Sequence, residues 1–522
     1  MPSLDWIGKK AVLNHHREIP FRLLRCDSGL SVGSETGNLL VEGDSLHALK
    51  ALLPYYAGRV KCIFIDPPYN TGNENWAYND AVNSVEMREW LGRVVGKERE
   101  DLSRHDKWLC MMYPRLSLLK DMLCWGGSIW ITIGEDEIAH LKLLCNEIFG
   151  ATNFITTAVW QKRTSRENRA AFGSSHDYIL LYAMGGESAW KAVRNRLPPG
   201  RKGYSNPDRD PRGEWKSIPF SAQGYRPNQM YPIETPSGLV VKPPKGRCWA
   251  NLEPVFNTHR ADNRVYFPKK GTGRPRLKQF RGEENGFVPM TWWTAVDSGD
   301  NQDAKKEILA LFPDIESFET PKPEQLIRQI IHIATNIDDI VLDSFLGSGT
   351  TAAVAHKMNR RYIGIEMGEH ARTFCATRLK KVVEGEGGGI SEAEGWRGGG
   401  GFRYCTLSNT LFNELGYIQP EVTFADLAAH VFFVETGTPI VDPRRLPLLG
   451  VHKGVAIYLL YNGILGDRRR AGGNILTNSL LSNIPPHDGL RVIYGEGTTL
   501  TPARLRREGV IFKQVPYQVA VG

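Results

Sequence analysis

Apolar residues fall into two regimes along this chain. Between residues 38 and 185, runs of strand length alternate with segments whose apolar positions recur every three or four residues. NLLVEGD (38–44) reads as a short buried strand ending in an acid. Ser45 then opens a helix through Leu46, Leu49 and Leu52, with Pro54 beyond its end. VKCIFI (60–65) is the next strand. Residues 106–123 read as a helix despite Pro114, GGSIWITIG (126–134) as a buried strand, and DEIAHLKLLCNEIFG (136–150) as an amphipathic helix closed by Gly150. Strands follow at 154–161 and 176–183. From about 186 to 317 the pattern breaks: Pro, Gly, Arg and Trp dominate, and helical spacing is absent until DAKKEILALF (303–312). It resumes with PEQLIRQIIHIA (323–334), the strand DDIVLDSF (338–345), a helix from Thr350, the strand RRYIGIEM (360–367) and a helix over 369–383.

Strands alternating with helices predict an α/β fold with a mostly parallel, doubly wound sheet, here interrupted by an irregular insertion. The expected division is 1–185 for the first half of the sheet, 186–317 for the insertion and 318–383 for the second half. A glycine-rich linker or surface-wrapping loop over 384–401 and a small C-terminal domain over 402–522 complete it. A length of 522 residues suits two or three such units. The sequence shows no internal repeat, and the tail carries no nuclease constellation.

Composition narrows the classes. Apolar content of 41% and charged content of 23% are ordinary globular values and exclude a wholly disordered chain. The longest apolar runs have strand length, so no membrane span is expected, and the first residues lack the continuous apolar segment of a secretory leader. The eight cysteines are scattered without a C-x-x-C, which predicts isolated thiols in a reducing cytoplasm and no disulfide or zinc framework. Charge is informative once located: residues 191–300 hold 20 Lys/Arg against 10 Asp/Glu, a surplus larger than the +8 of the whole chain. That segment is either a polyanion footprint or a solvated basic face.

Two constellations could carry chemistry. In DSFLGSGTT (343–351) a strand ends at Asp343, Gly347 and Gly349 allow close backbone approach, and Thr350-Thr351 open a helix whose amides can receive a polar ligand group. A P-loop would need Lys-Ser/Thr after the glycines, and Ala352 breaks a G-x-G-x-x-G, so a plain tight turn is the competing reading. The next strand ends in Glu366, where a βαβ unit grips ribose hydroxyls. The second constellation is IDPPYNTG (65–72). Asp66 ends a buried strand, Pro67-Pro68 freeze the chain, and Tyr69 offers a flat ring. A fixed carboxylate, a fixed carbonyl and a stacking ring suit a planar heterocycle bearing an NH₂ group.

DPPY at 66–69 read with FLGSG at 345–349 resembles the S-adenosylmethionine-dependent amino-methyltransferases of DNA. The acid in DPPY is similar to the adenine-N6 branch, and the motif order resembles its circularly permuted β class. Gly43-Asp44-Ser45-Leu46, PPKGRCW (243–249), TPKP (320–323) and IFKQVPY (511–517) extend the likeness to the modification subunits of type III restriction–modification systems and their solitary relatives. The resemblance implies a Rossmann-like methyltransferase sheet with the catalytic half before the cofactor half and a target-recognition domain between them. It implies Asp66, Pro67, Pro68 and Tyr69 as the catalytic residues, with Asn70 bracing their loop. It assigns the cofactor to Asp44, Lys322, Pro323, Asp343, Phe345, Gly347, Gly349, Thr350, Thr351 and Glu366. Leu346 is bulkier than the family's usual residue there. The implied cofactor is S-adenosyl-L-methionine, with no metal; the implied partners are double-stranded DNA, a second copy of the chain and a restriction helicase–nuclease subunit, in the cytoplasm. N4-cytosine transfer, an RNA or nucleotide methyltransferase, and a DNA-targeting subunit with a vestigial pocket are the rival readings. Tyr225, Tyr231, Trp249, Trp292 and Trp293 accompany the basic segment, where Trp249, Trp292 and Trp293 are expected to build a small core.

Overall fold

Central strands of a parallel sheet are covered on both faces by their crossover helices, so they must be apolar throughout. That requirement selects the strands here. In the computed structural model, which describes residues 4–33, 37–71, 92, 103–166, 171–198, 203–284, 286–313, 318, 320–442, 446–464, 467, 469, 472–516 and 519, ten strands form the main sheet. In chain order these are β1 (Arg22–Gly33), β2 (Leu39–Glu42), β3 (Val60–Ile65), β4 (Leu123–Ile133), β5 (Phe154–Gln161), β6 (His176–Ala183), β7 (Trp292–Trp293), β8 (Ile340–Asp343), β9 (Arg361–Glu366) and β10 (Gly401–Thr410). Their spatial order is β1-β10-β2-β9-β8-β3-β4-β6-β5-β7. The run β10-β2-β9-β8-β3-β4 is parallel, while β6 lies antiparallel to both β4 and β5. This is the mostly parallel, doubly wound sheet expected from the alternation. Its two central strands, β8 and β3, come from chain segments almost three hundred residues apart.

Three helices flank the strands that carry the site: α1 (Ser45–Tyr56), α2 (Arg104–Met122) and α3 (Glu324–Ala334). Asp44 caps α1 by accepting from the Leu46 and His47 amides, and α1 runs through Pro54 to Tyr56 instead of ending before it. Ser103 and Asp106 form a reciprocal capping box at the start of α2.

Two features depart from the sequence reading. Strands β1 and β10 were not legible as such, and β10 places residues 401–410 in the main sheet, between β1 and β2. Opposite one another across the β1–β10 pair stand Cys26 and Cys405, joined as a disulfide; the expectation of isolated thiols fails here because antiparallel pairing juxtaposes residues 379 positions apart. Residues 385–400 pack closely and do not behave as a spacer. A Cβ on Gly398 would stand 2.8 Å from the Val383 carbonyl, and one on Gly400 would stand 2.7 Å from His356 Nε2. Glycine is what permits that approach, so this segment wraps the surface.

That loop closes over a buried ion cluster. Glu324, Lys357 and Arg378 are each about 1% exposed or less. Lys357 Nζ lies 2.8 Å, and Arg378 Nη2 2.8 Å, from the Glu324 carboxylate. The Ile390 amide donates to the same carboxylate at 3.0 Å. Burial alone would raise the Glu324 carboxyl, but Arg378 and Lys357 hold it below its ordinary value.

Beyond β10, a mixed four-stranded sheet takes Leu448–His452, Val455–Leu459, Arg491–Gly495 and Val510–Gln514 in that spatial order, with the helix Phe424–Thr436 on one face. Residues 196–289 form a separate compact unit of short antiparallel strands. Trp249 belongs to its small core with Phe220, Ile233 and Phe256. Trp293 does not: it is buried on β7 of the main sheet beside Trp130, and Trp292 is 54% exposed. Tyr517 and Gly72 lie outside the described residues.

Removing one partner of a fully buried pair leaves the other charge stranded, at a cost of about 3–5 kcal/mol. Lys357→Met should therefore lower the urea midpoint markedly; an unchanged midpoint would show that Arg378 alone balances Glu324.

Candidate functional site

In open α/β sheets, ligands meet the carboxyl ends of the strands. At that edge β3 delivers Asp66 and its neighbour β8 delivers Asp343. Together with residues from β6 and the turn after β8 they line a cavity of about 280 Å³. A larger cavity, about 690 Å³, lies under α1 and the N-terminal segment and contains none of the residues singled out by sequence. Most of the residues singled out by sequence gather in the smaller one.

Asp66 is held at both oxygens. Thr132 of β4 donates its hydroxyl to Oδ1, and the Lys322 ammonium pairs with Oδ2. Pro67 and Pro68 fix the backbone beyond it, and Trp108 Nε1 donates to the Pro68 carbonyl at 2.7 Å. Tyr69 then lies in the cavity wall. Its ring covers Gly134, where a Cβ would stand 3.0 Å from Cδ2, and the Lys322 ammonium is 5.4 Å from its centroid. Its hydroxyl reaches Asp177 at 3.4 Å, and Asp177 is anchored by Lys162 at 2.7 Å. Burial, with Asp177 and Asp66 adding to it, raises the Tyr69 phenol well above its ordinary range, so the ring stays neutral.

The opposite wall is the turn after β8. Asp343 accepts the Phe345 amide at 2.9 Å, and burial pushes its carboxyl up to about 7. Gly347 and Gly349 have φ of +59° and +83°, conformations that L side chains rarely adopt. The helix Thr350–Lys357 starts there, and Arg378 holds Thr350 Oγ1 at 2.8 Å, tying this turn to the buried Glu324 cluster. Leu346 is accommodated because its side chain packs where a Cβ on Gly364 would be, at 2.5 Å.

Of the residues proposed from sequence, Asp66, Pro67, Pro68, Tyr69, Lys322, Asp343, Phe345, Gly347, Thr350 and Thr351 line this one cavity. Pro323 caps α3 and Gly349 caps the helix after the turn. Glu366 sits just behind, 1% exposed: one oxygen accepts the Gly347 amide at 2.6 Å, and Oε1 is buried without a well-formed hydrogen bond. Burial pushes its carboxyl up to about 8. Asp44 is the exception. It is committed to capping α1 and to Arg115, 2.6 Å away, and does not line the cavity. Sequence reasoning missed Thr132, Lys162, Asp177, Asn301 and Phe318, all at or beside the cavity. For Thr132, Lys162 and Asp177 the only signal was a polar residue at or near the end of an apolar strand, which is too common to single out; Asn301 opens a helix and Phe318 lies in a loop, and neither carried a signal. Away from the cavity, His105 and His140 meet at Glu137.

An acid whose folded pKa is raised loses stability as pH climbs from its unfolded value to its folded one. For Glu366 that window runs from 4.5 to about 8, and Asp343 acts in the same direction. Relative to Glu366→Gln, the unliganded wild type should therefore lose thermal midpoint across this range, by several degrees. Parallel curves for the two proteins would place Glu366 in a more polar setting than the structure shows.

The comparisons with known proteins fall on this same stretch. A family model described as DNA methylase matches residues 60–376, from the start of β3 to beyond the tip of β9. The chain is 35% identical over 405 residues to the type III restriction–modification enzyme StyLTI Mod subunit of Salmonella typhimurium, covering 73% of this chain and 59% of that protein. It is 29% identical over 402 residues to the EcoP15I Mod subunit of Escherichia coli, covering 69% and 62%. Type II methyltransferase M1.MboII of Moraxella bovis is 56% identical over 311 residues, covering 59% of this chain and 84% of that protein. The chain thus spans about three-fifths of the length of the type III relatives it matches. With the matched segment holding both walls of the cavity, the chain belongs to the N6_N4_Mtase family of DNA methylases.

Proposed function

We propose that this chain transfers a methyl group from S-adenosyl-L-methionine to the N6 amine of an adenine flipped out of duplex DNA. In this reading it acts in the cytoplasm as the modification subunit of a type III restriction–modification system, or as a solitary relative. The observation that carries the proposal is the single cavity in which Asp66 and Tyr69 face the glycine turn of β8. The turn and Glu366 fit a cofactor of this kind. Two glycines leave room for close approach, and a buried carboxylate oxygen without a good partner stands at the strand tip where ribose hydroxyls bind. Phe345, Gly347, Thr350 and Glu366 would hold the cofactor, and Lys322 would meet an anionic group of it. When bound, the cofactor supplies an electrophilic methyl on sulfonium.

The protein's own task is the amine. An aromatic amine donates its lone pair into the ring and is a poor nucleophile. A carboxylate and a backbone carbonyl accepting its two N–H bonds favour a pyramidal nitrogen, and Asp66 stabilises the positive charge that develops on it. Tyr69 stacks on the base and fixes its plane, so orientation supplies the remainder. No step asks for an enzyme nucleophile; Cys375, beside the turn, is fully buried with its thiol raised well above its ordinary value.

Target choice falls to the unit formed by residues 196–289, with 18 Lys/Arg against 8 Asp/Glu. Six of its acids are spent on internal ion pairs with Lys216, Lys278, Arg212, Arg264 and Arg281. Lys242, Lys269, Lys270 and Arg274 are exposed and, among the described residues, have no carboxylate in ion-pair range. Arg274 Nε donates to the Lys242 carbonyl at 3.0 Å, which brings those two cations together. A patch of this kind neutralises phosphates and releases counterions.

Methyl transfer onto unmethylated genomic DNA, read as modified nucleosides by mass spectrometry, tests the chemistry. N6-methyladenine from the wild type, with a loss of several orders of magnitude in Asp66→Ala and unchanged cofactor affinity, is expected. N4-methylcytosine would reassign the base, and full turnover in the variant would reject the site. For the recognition unit, replacing Lys242, Lys269, Lys270 and Arg274 by Gln should weaken DNA binding and flatten its dependence on salt. An unaltered slope would move the contact elsewhere.

A further inference from the structure

The catalytic loop has a far end, and the structure shows what grips it. Asn70 follows Tyr69 directly, is fully buried and sits at φ +58°, in the left-handed region where a non-glycine residue needs support. Its side-chain amide donates to Glu137 Oε1 and, at 3.2 Å, to the Arg104 carbonyl. Glu137 is itself wholly buried, in the turn between β4 and the helix Ile138–Cys145. Its carboxylate has no Lys or Arg in ion-pair range among the described residues. Instead His105 Nδ1 stands 2.6 Å from Oε1 and His140 Nδ1 2.9 Å from Oε2, with the two rings 4.7 Å apart.

Two histidines and a carboxylate could also hold a metal ion. Ligand atoms each about 2.1 Å from one tetrahedral ion stand roughly 3.4 Å apart. The observed nitrogen–oxygen spacings are shorter and match N–H···O bonds. The carboxylate is therefore closed by three donors: the Asn70 amide and two imidazoles. One turn further along α2, Trp108 holds the Pro68 carbonyl. The first turns of α2 and Glu137 thus fasten the loop on the side away from the cavity.

We propose that Glu137 is the positioning residue of this loop, acting through Asn70 to fix the left-handed turn that aims Tyr69 and Asp66 into the cavity. Glu137 lines no part of the cavity and acts only through its partner. The inference rests on the methyltransferase reading for its catalytic consequence but not for its structural one.

Hydrogen exchange on the unliganded full-length chain is the primary readout, with Glu137→Gln, Asn70→Ala and the double variant compared over a peptide spanning residues 64–71. Gln keeps the shape but turns one acceptor into a donor facing donors. Losing one charge-assisted bond should speed exchange in that peptide by about tenfold or more. The same variants should lose methyl-transfer kcat by about tenfold or more, with KM for the cofactor within about twofold. The double variant should be no worse than the worse single, because both cut one connection. Additive losses, or exchange unchanged in this peptide, would overturn the proposal. His140→Phe removes a single donor and should shift both readouts partway in the same direction; it serves if Glu137→Gln fails to fold. One zinc per purified chain, by metal analysis, would overturn the hydrogen-bonded assignment. Should the wild type methylate no DNA, the methyltransferase reading falls, while the exchange comparison still decides the clamp.

Discussion

The buried carboxylate of Glu324 is the constraint on which the half of the sheet carrying the glycine turn depends. It stands at the start of α3, immediately after Lys322 and Pro323, and it gathers Lys357, Arg378 and the Ile390 amide. Each partner belongs to a different segment: the helix after the glycine turn, the helix Thr377–Val383, and the wrapped glycine-rich loop. An ionised acid out of water must be fully satisfied, and satisfying it fixes these segments relative to one another. Arg378 then carries that order to Thr350, so the turn that faces Asp66 inherits its position from a charge cluster outside the cavity.

The half of the sheet that carries Asp66 is built on a different logic. Asp66 is placed by strand β3, held through Thr132 of the adjacent strand and balanced by Lys322 from across the sheet's midline. Tyr69 is placed by subtraction, since Gly134 leaves its ring the space it occupies, and by the Asp177–Lys162 pair at its hydroxyl. Lys322 therefore joins the halves: it belongs to the same short segment as Glu324 and ends on Asp66.

The edges of the main sheet are treated unequally. On one side β1 and β10 extend it beyond β2, are linked through Cys26 and Cys405, and carry the chain into the C-terminal sheet. On the other, only the two-residue strand β7 covers β5. A very short edge strand offers little backbone for unwanted pairing. The buried Trp293 on β7 packs on Trp130, so the residues that return the chain from the separate unit are fastened into the core.

The sequence alone determined the parts governed by local periodicity. β5 and β6 begin and end where the alternation says, and the strand tips bearing Asp66, Asp343 and Glu366 follow from apolar runs that stop at an acid. Short motifs with a mechanical meaning were legible for the same reason: proline stiffness and glycine turns are properties of a few adjacent residues. What depended on distant pairing was not. Along β1 and β10 burial follows no period of two, so neither they nor the Cys26–Cys405 link could be read. Asp44 pairs with Arg115, 71 residues away, and Asp177, Lys162, Thr132 and Glu137 take their partners from other elements of the fold, none of it visible in local sequence. A side chain's type is fixed by the sequence; which partner claims its hydrogen bonds is decided by tertiary packing, because only packing sets the distances over which those bonds act.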